Sequence, residues 1–197
     1  MRSTILSALF LALLCVAARP ATAQPNAADQ LHRLFEDAWE WRLQENPLFA
    51  TAVGVHKYND ELPTVSVAAA ERRLEQERAF LKRLRAIDRR ALSEEDQLNY
   101  DLFERVRKRR IAEIKVRDFL IPITNRSGFH VSFPQLADRM PLNTVADYED
   151  YIARLNAFER YARQHVSIMQ TGLDEDYTLP KAVLGGVPAT LKPQIVD

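Results

Sequence analysis

The sequence predicts an all-α chain of several long amphipathic helices packed as an irregular bundle. Three observations lead there. Only 5 glycines occur in 197 residues, while Ala, Leu, Glu and Arg, all strong helix formers, are abundant. Apolar residues return every three or four positions over long stretches, as one face of a helix requires. An Asn, Ser or Thr stands just ahead of several of these stretches, where a side-chain oxygen can cap the free backbone N–H groups. No internal repeat or low-complexity run interrupts the pattern.

The first helix is predicted from Ala27 to Glu45, with Leu31, Leu34, Phe35, Ala38 and Trp39 on one face. Asn46-Pro47 ends it and starts a short helix through Leu48, Phe49, Ala52 and Val53 to Gly54, because Asn caps well and Pro suits the first helical position. Residues 54–60 read as a loop closing at Pro63. Ser66 opens a second long helix with Val67, Ala70, Leu74, Leu81, Leu84 and Ile87 inward. Ser93 opens a third, with Glu94, Glu95 and Asp96 in its first turn, where negative charge suits the helix dipole. Leu98, Leu102, Val106, Ile111 and Ile114 carry its apolar stripe to about Asp118. Phe119 to Ile123 is an extended buried connection, followed by a loop from Thr124 to Gly128 and a short helix near Pro134 to Arg139. Thr144 caps the clearest helix, whose seam is Val145, Tyr148, Ile152, Leu155, Ala162, Val166 and Met169, with Glu159 the interruption and Gly172 the residue after its end. Pro180 to Leu184 begins another helix. The aromatics Trp39, Trp41, Phe80, Phe103, Tyr148 and Tyr151 fall among apolar neighbours and read as core.

The first residues have the pattern of a secretory signal peptide. Arg2 precedes an uncharged apolar stretch from Ile5 to Ala18, and Ala21-Thr22-Ala23 is a small-x-small site, so cleavage is expected between Ala23 and Gln24. The stretch falls short of the roughly 20 apolar residues that span a bilayer, so no stable membrane span is expected after cleavage. Cleavage removes Arg2, Arg19 and the single cysteine, Cys15, but no acid. The mature chain then carries two more acidic than basic residues, which gives no steering toward nucleic acid, and it must hold together without disulfides. The expected location is periplasmic or extracellular, in a bacterium.

Each chemical motif has a plain structural reading beside it. Arg105 to Arg110 is nearly all basic, yet Asp101, Glu104 and Glu113 stand four residues from Arg105, Lys108 and Arg109, so a solvated face laced with ion pairs is expected. His32 and Glu36 share a helix face, but one histidine and one carboxylate do not make a zinc site, and a surface pair is expected. His56, Tyr58 and Asp60 gather in the loop after Gly54, a placement common for binding groups, and equally suited to turn hydrogen bonds from Asn59 and Asp60. Glu159 is expected to lean outward beside Arg163. None of the four histidines, His32, His56, His130 and His165, lies in an H-E-x-x-H, and nucleophile-elbow, P-loop and dinucleotide glycine patterns are missing.

Several segments together resemble a known family. They are Pro47 to Gly54 with Gly54-Val55-His56-Lys57-Tyr58-Asn59-Asp60, Leu81 to Asp88, Leu92-Ser93-Glu94-Glu95-Asp96-Gln97-Leu98-Asn99-Tyr100-Asp101-Leu102, Arg139 to Leu142, Asp147-Tyr148-Glu149-Asp150-Tyr151-Ile152-Ala153-Arg154-Leu155, and Pro180 to Val183. In this order they resemble the N-terminal part of the domain of unknown function 885 family, over nearly all of residues 30–197. The resemblance implies a large helical exported protein, similar to zinc peptidases or amide hydrolases. Its later part carries an H-E-x-x-x-G-H-H-type segment, in which histidines one turn apart hold zinc and the glutamate activates its water.

No residue here matches that segment, so no catalytic or metal-binding residue is carried over. Residues 24–197 are expected to be the helical N-terminal portion of a larger domain, truncated at Asp197. That portion would form one wall of a groove for a peptide-like substrate, packed against the missing C-terminal half, with His56 and Tyr58 lining the groove. The zinc belongs to the full-length family. The alternative is a non-catalytic periplasmic helical binding or scaffold domain.

Overall fold

A computed structural model describes residues 26–192. The signal peptide and the cleavage position at Ala23 and Gln24 lie outside the described residues. Within them the chain is all-α. The helices are α1 (Ala27–Glu45), α2 (Pro47–Ala52), α3 (Val67–Arg85), α4 (Glu94–Lys115), α5 (Phe129–Ser132), α6 (Val145–Asp174), α7 (Lys181–Leu184) and α8 (Val187–Leu191), with single 3-10 turns between several of them. No helix among the described residues is long and apolar enough to cross a membrane.

The capping residues set the helix starts. Asn26 accepts from the Asp29 N–H at 2.8 Å, and Asn46 ends α1 while accepting from the Phe49 N–H of α2. Ser66 and Ser93 cap α3 and α4 through the N–H groups of Ala69 and Asp96. Thr144 and Asp147 close a reciprocal capping box at the start of α6. Each cap contributes about 1 kcal/mol.

The main core lies where α1 crosses the hairpin of α3 and α4. Leu31, Leu34 and Ala38 of α1 meet Phe80 and Leu84 of α3, Ile87 and Leu92 of the connection, and Tyr100 of α4. Burial of each large side chain there stabilises the fold by roughly 1.5–3 kcal/mol. A smaller cluster of Leu43, Ala50 and Tyr58 ties α1, α2 and the following 3-10 turn His56–Tyr58 together.

Several details differ from expectation. Trp39, placed on the core face of α1, is 44% exposed and rests edge-on against Phe49. The short helix expected near Pro134 forms earlier, at Phe129–Ser132, and residues 137–139 make only a 3-10 turn. The connection after α4 starts with a 3-10 turn, Asp118–Leu120, before it extends. Gly172 does not follow the end of α6. It is buried in the last turn, where a Cβ would lie 3.0 Å from the Tyr177 carbonyl oxygen, so close chain approach rather than a left-handed cap explains it.

The largest differences are rotations. In α4 the first half of the expected stripe turns outward, with Leu98 and Leu102 exposed while Val106, Ile111 and Ile114 are half-buried, and the inward face is Asp96, Tyr100 and Arg107, with Phe103 half-buried against the core. In α6 the seam from Val145 to Val166 is exposed, and the buried residues are Arg154, Tyr161, His165, Ile168 and Gly172. Arg154, Tyr161 and His165 each precede a seam residue by one position, a turn of about 100° around the helix. Tyr148 therefore faces out as well.

Candidate functional site

Arg154 organises the region around the His56 loop. Its side chain is fully buried, at 0% exposure, yet no carboxylate hydrogen-bonds to it among the described residues. Instead Nε donates to the Glu61 carbonyl at 2.9 Å, and Nη2 is directed at the carbonyls of Pro47 and Tyr58 and the Thr51 hydroxyl, at 3.1, 2.9 and 2.8 Å. Nη1 lies 3.1 Å from the Met140 sulfur. Loss of hydration pushes the guanidinium pKa down to about 10, against the raising influence of Asp60, Asp150 and Glu61. One side chain of α6 thus fastens α2 and the 3-10 turn from inside.

That fastening defines the surroundings of His56 and Tyr58. Gly54, with φ of 81°, lets the chain leave α2 sharply. Tyr58 is buried, and its hydroxyl donates to Glu40 Oε1 at 2.6 Å. Lys57 pairs with the same carboxylate, and this hydrogen bond above all raises the lysine pKa and lowers that of Glu40. Asn59 is buried too, accepting from the Thr51 hydroxyl at 2.7 Å and meeting His56 Nδ1 through Nδ2 at 3.2 Å. His56 itself is exposed. The Asp147 carboxyl is held below the usual range first by the Thr144 N–H, with a smaller contribution from His56.

The remaining motif residues have structural partners. His32 does not pair with Glu36; its Nε2 meets Asp96 Oδ1 of α4 at 2.8 Å. This hydrogen bond chiefly raises the His32 pKa above 6.5. A histidine whose folded pKa is raised contributes stability that is fully present below 6.5 and lost as pH rises through the folded value. His32→Gln is therefore expected to lower the unfolding midpoint just below pH 6.5, with the difference from the parent shrinking as pH rises, measured by denaturant titration at several pH values. A difference independent of pH would contradict this linkage.

In the basic run, Lys108 pairs with Glu104 at 2.9 Å, and Arg109 and Arg110 with Glu113. Asp101 turns away from Arg105 to Arg89, at 2.8 Å. Arg107 points inward to Glu77 at 2.9 Å. Glu159 leans outward and pairs with Arg163 at 2.9 Å. Among the described residues, no three His, Cys, Asp or Glu side chains are grouped so as to hold a metal ion.

Two apolar features of α6 stand open among the described residues, and they share Leu155 and Val166. The first is the exposed seam of α6, where Val145 is 77% and Val166 58% exposed, with Tyr148, Ile152 and Leu155 between them. Exposed apolar residues that recur along one helix face, here interrupted by the outward Glu159, are more than scattered exposure and mark an interaction face. The second is an apolar pocket of about 630 Å³ between α6 and the segment carrying α5, lined by Phe129, His130, Phe133 and Phe158. His165 packs behind Phe129, donating Nδ1–H to the Tyr161 carbonyl at 2.9 Å and lying tilted against the Phe129 ring with centroids 4.3 Å apart. Periodicity alone did not find Arg154, the Glu77–Arg107 pair or His130. Arg154 did carry a signal, as a lone charge inside the run Tyr151-Ile152-Ala153-Arg154-Leu155.

The family model described as "Bacterial protein of unknown function (DUF885)" matches residues 47–196. No curated protein and no solved structure matches the chain.

Proposed function

We propose, for a chain that belongs to the DUF885 family of bacterial proteins, that it forms one helical wall of the substrate groove of an exported zinc-dependent peptidase or amide hydrolase. The metal ligands and the water-activating carboxylate reside on a further helical segment of the same larger domain. Residues 24–197 supply shape and apolar contact rather than chemistry. The apolar export pattern before Gln24 supports delivery to the periplasm or the outside of the cell.

One observation carries this reading: the outward seam of α6. Val145, Tyr148, Ile152 and Leu155 keep helical spacing for about three turns, and Val166 resumes it beyond Glu159, the pattern of a face meant for burial. A polar surface helix has no use for it. Arg154 of α6 holds the Tyr58 and Glu61 carbonyls, which supports a reading in which a segment covering α6 leaves His56 at the edge of the groove it closes, with Tyr58 holding the loop from beneath.

The reading makes a joint prediction. The chain on its own should bind anilinonaphthalene sulfonate strongly, and Ile152→Glu with Val166→Glu should remove most of that fluorescence at unchanged helicity. It should hydrolyse no peptide with zinc added. In a protein that also carries the H-E-x-x-x-G-H-H segment, His56→Ala should weaken binding of a peptide substrate. Peptide hydrolysis by the chain alone, or weak dye binding insensitive to the two substitutions, would overturn the reading.

The second reading, a non-catalytic helical binding domain, is favoured by the pocket beside α5. It requires a single cooperative unfolding transition and little dye binding.

A further inference from the structure

An unbroken line of hydrogen bonds joins the interior to His56, and each link fixes the direction of the next. The line starts at Arg154, whose guanidinium can only donate. Its Nη2 meets the Thr51 hydroxyl at 2.8 Å, so that oxygen accepts there and has one hydrogen left to give. Asn59 Oδ1 lies 2.7 Å from the hydroxyl and the Pro47 carbonyl 3.1 Å. The Pro47 oxygen is already served by Arg154 Nη2 at 3.1 Å. The shorter contact has about the ordinary length of an O–H···O bond and is short for N–H···O. Asn59 therefore turns its oxygen to Thr51 and its amide nitrogen, which only donates, to His56 Nδ1 at 3.2 Å. A ring nitrogen facing that donor accepts through its lone pair. With Nδ1 so engaged, the hydrogen of the uncharged ring belongs on Nε2.

We propose that Arg154, Thr51 and Asn59 are positioning residues that lock uncharged His56 as the tautomer with its hydrogen on Nε2, and that this N–H donates to a backbone carbonyl oxygen of a bound peptide. Thr51 and Asn59 are 4% and 1% exposed, so solvent has little access to the inner links. His56 by contrast is exposed, and its Nε2 has no hydrogen-bond partner among the described residues. A fixed donor at the surface suits the peptide carbonyl, an acceptor that every residue of a substrate repeats, and it holds main chain without selecting side chains. The line also gives the buried Arg154 a task beyond fastening α2 and the 3-10 turn: it sets the polarity of a group on the opposite side of them. The choice of a peptide as ligand rests on the groove-wall reading, and the tautomer does not.

The tautomer is read by long-range proton–nitrogen NMR correlation on the isotope-labelled whole chain, at about pH 8.5, where an ordinary imidazole is uncharged. The His56 signals are those lost in His56→Gln. The parent should show one tautomer, with hydrogen on Nε2. Asn59→Asp keeps the acceptor toward Thr51 but puts an acceptor in place of the donor toward His56, so the hydrogen should move to Nδ1. Thr51→Val removes the hydroxyl and should leave a mixture, whereas Thr51→Ser should keep the parent signature; this pair carries the test if Asn59→Asp does not fold. A residue that only held the loop in shape would not move a hydrogen between ring nitrogens. In a protein that also carries the H-E-x-x-x-G-H-H segment, KM for a blocked dipeptide amide should rise roughly three- to tenfold in His56→Phe, the loss of one net hydrogen bond. It should rise less in His56→Gln, which keeps a donor. Hydrogen on Nδ1 in the parent, or the same tautomer ratio in the parent, Asn59→Asp and Thr51→Val, overturns the proposal and leaves the groove-wall reading standing. An unchanged KM in His56→Phe overturns the assignment of His56 as donor, while dye binding and hydrolysis by the chain alone judge the groove wall itself.

Discussion

Arg154→Met is expected to lower the unfolding free energy by about 3–5 kcal/mol, among the largest single effects in the chain. The residue is fully buried and directs its donors at the carbonyls of Pro47, Tyr58 and Glu61 and the hydroxyl of Thr51. Methionine matches the length of the stem but donates nothing, so these acceptors lose their partner inside the protein. Each unsatisfied acceptor costs about 1–3 kcal/mol, offset in part because the guanidinium no longer has to be desolvated. Arg154→Lys should fall between parent and Met, because one ammonium group cannot reach both sides of the fork. Guanidinium chloride titration reads the effect as a shift of midpoint at constant slope. A loss under 1 kcal/mol for the Met variant would mean that α2 and the His56 loop hold together without this arginine. The same variant should loosen the loop, seen as faster amide exchange from His56 to Glu61.

Glu77→Leu in α3 is expected to destabilise by about 3–5 kcal/mol, whereas Glu77→Leu with Arg107→Leu should be neutral or stabilising by up to about 4 kcal/mol. Both partners are buried, with Arg107 Nη1 donating to Oε1 at 3.2 Å and lying 2.9 Å from Oε2. Oε2 itself has no well-aligned hydrogen bond, and Arg107 Nε has none among the described residues. Desolvation is the largest influence on both groups, raising the Glu77 pKa and lowering that of Arg107 against their mutual attraction. Both directions say that burial costs more than the pairing returns. The single variant strands the guanidinium, and the double variant removes both charges. For Glu77 the sign of the pH effect follows: a carboxyl whose folded pKa is raised favours the folded state more as it protonates, so its own contribution rises as pH falls toward 4.5. A double-mutant cycle by denaturant titration decides the matter, and a double variant less stable than Glu77→Leu alone would refute the argument.

Much of the architecture was readable from local chemistry. The boundaries of α1, the shared role of Asn46 and the starts of α3, α4 and α6 follow from caps that act within four residues. The outward lean of Glu159 toward Arg163 is likewise a one-turn relation. Relations across the chain were not readable. His32 meets Asp96 rather than Glu36, and Asp101 meets Arg89 rather than Arg105, because a partner on another element was better placed than the one a turn away. The 3.6-residue period marked stripes on α4 and α6 but carried no information on which stripe would be covered.

The sequence by itself determined that this is a helical chain, where most of its long helices begin, and which family it resembles, because capping and periodicity are properties of neighbouring residues. Only the tertiary structure decided the rotation of α4 and α6, the burial of Arg154 and the aromatic pocket around His130. The reason is physical: a helix with two plausible faces settles on the one whose buried polar groups find partners. For α6, Arg154 found backbone carbonyls some hundred residues earlier in the chain, and the apolar seam was left facing outward.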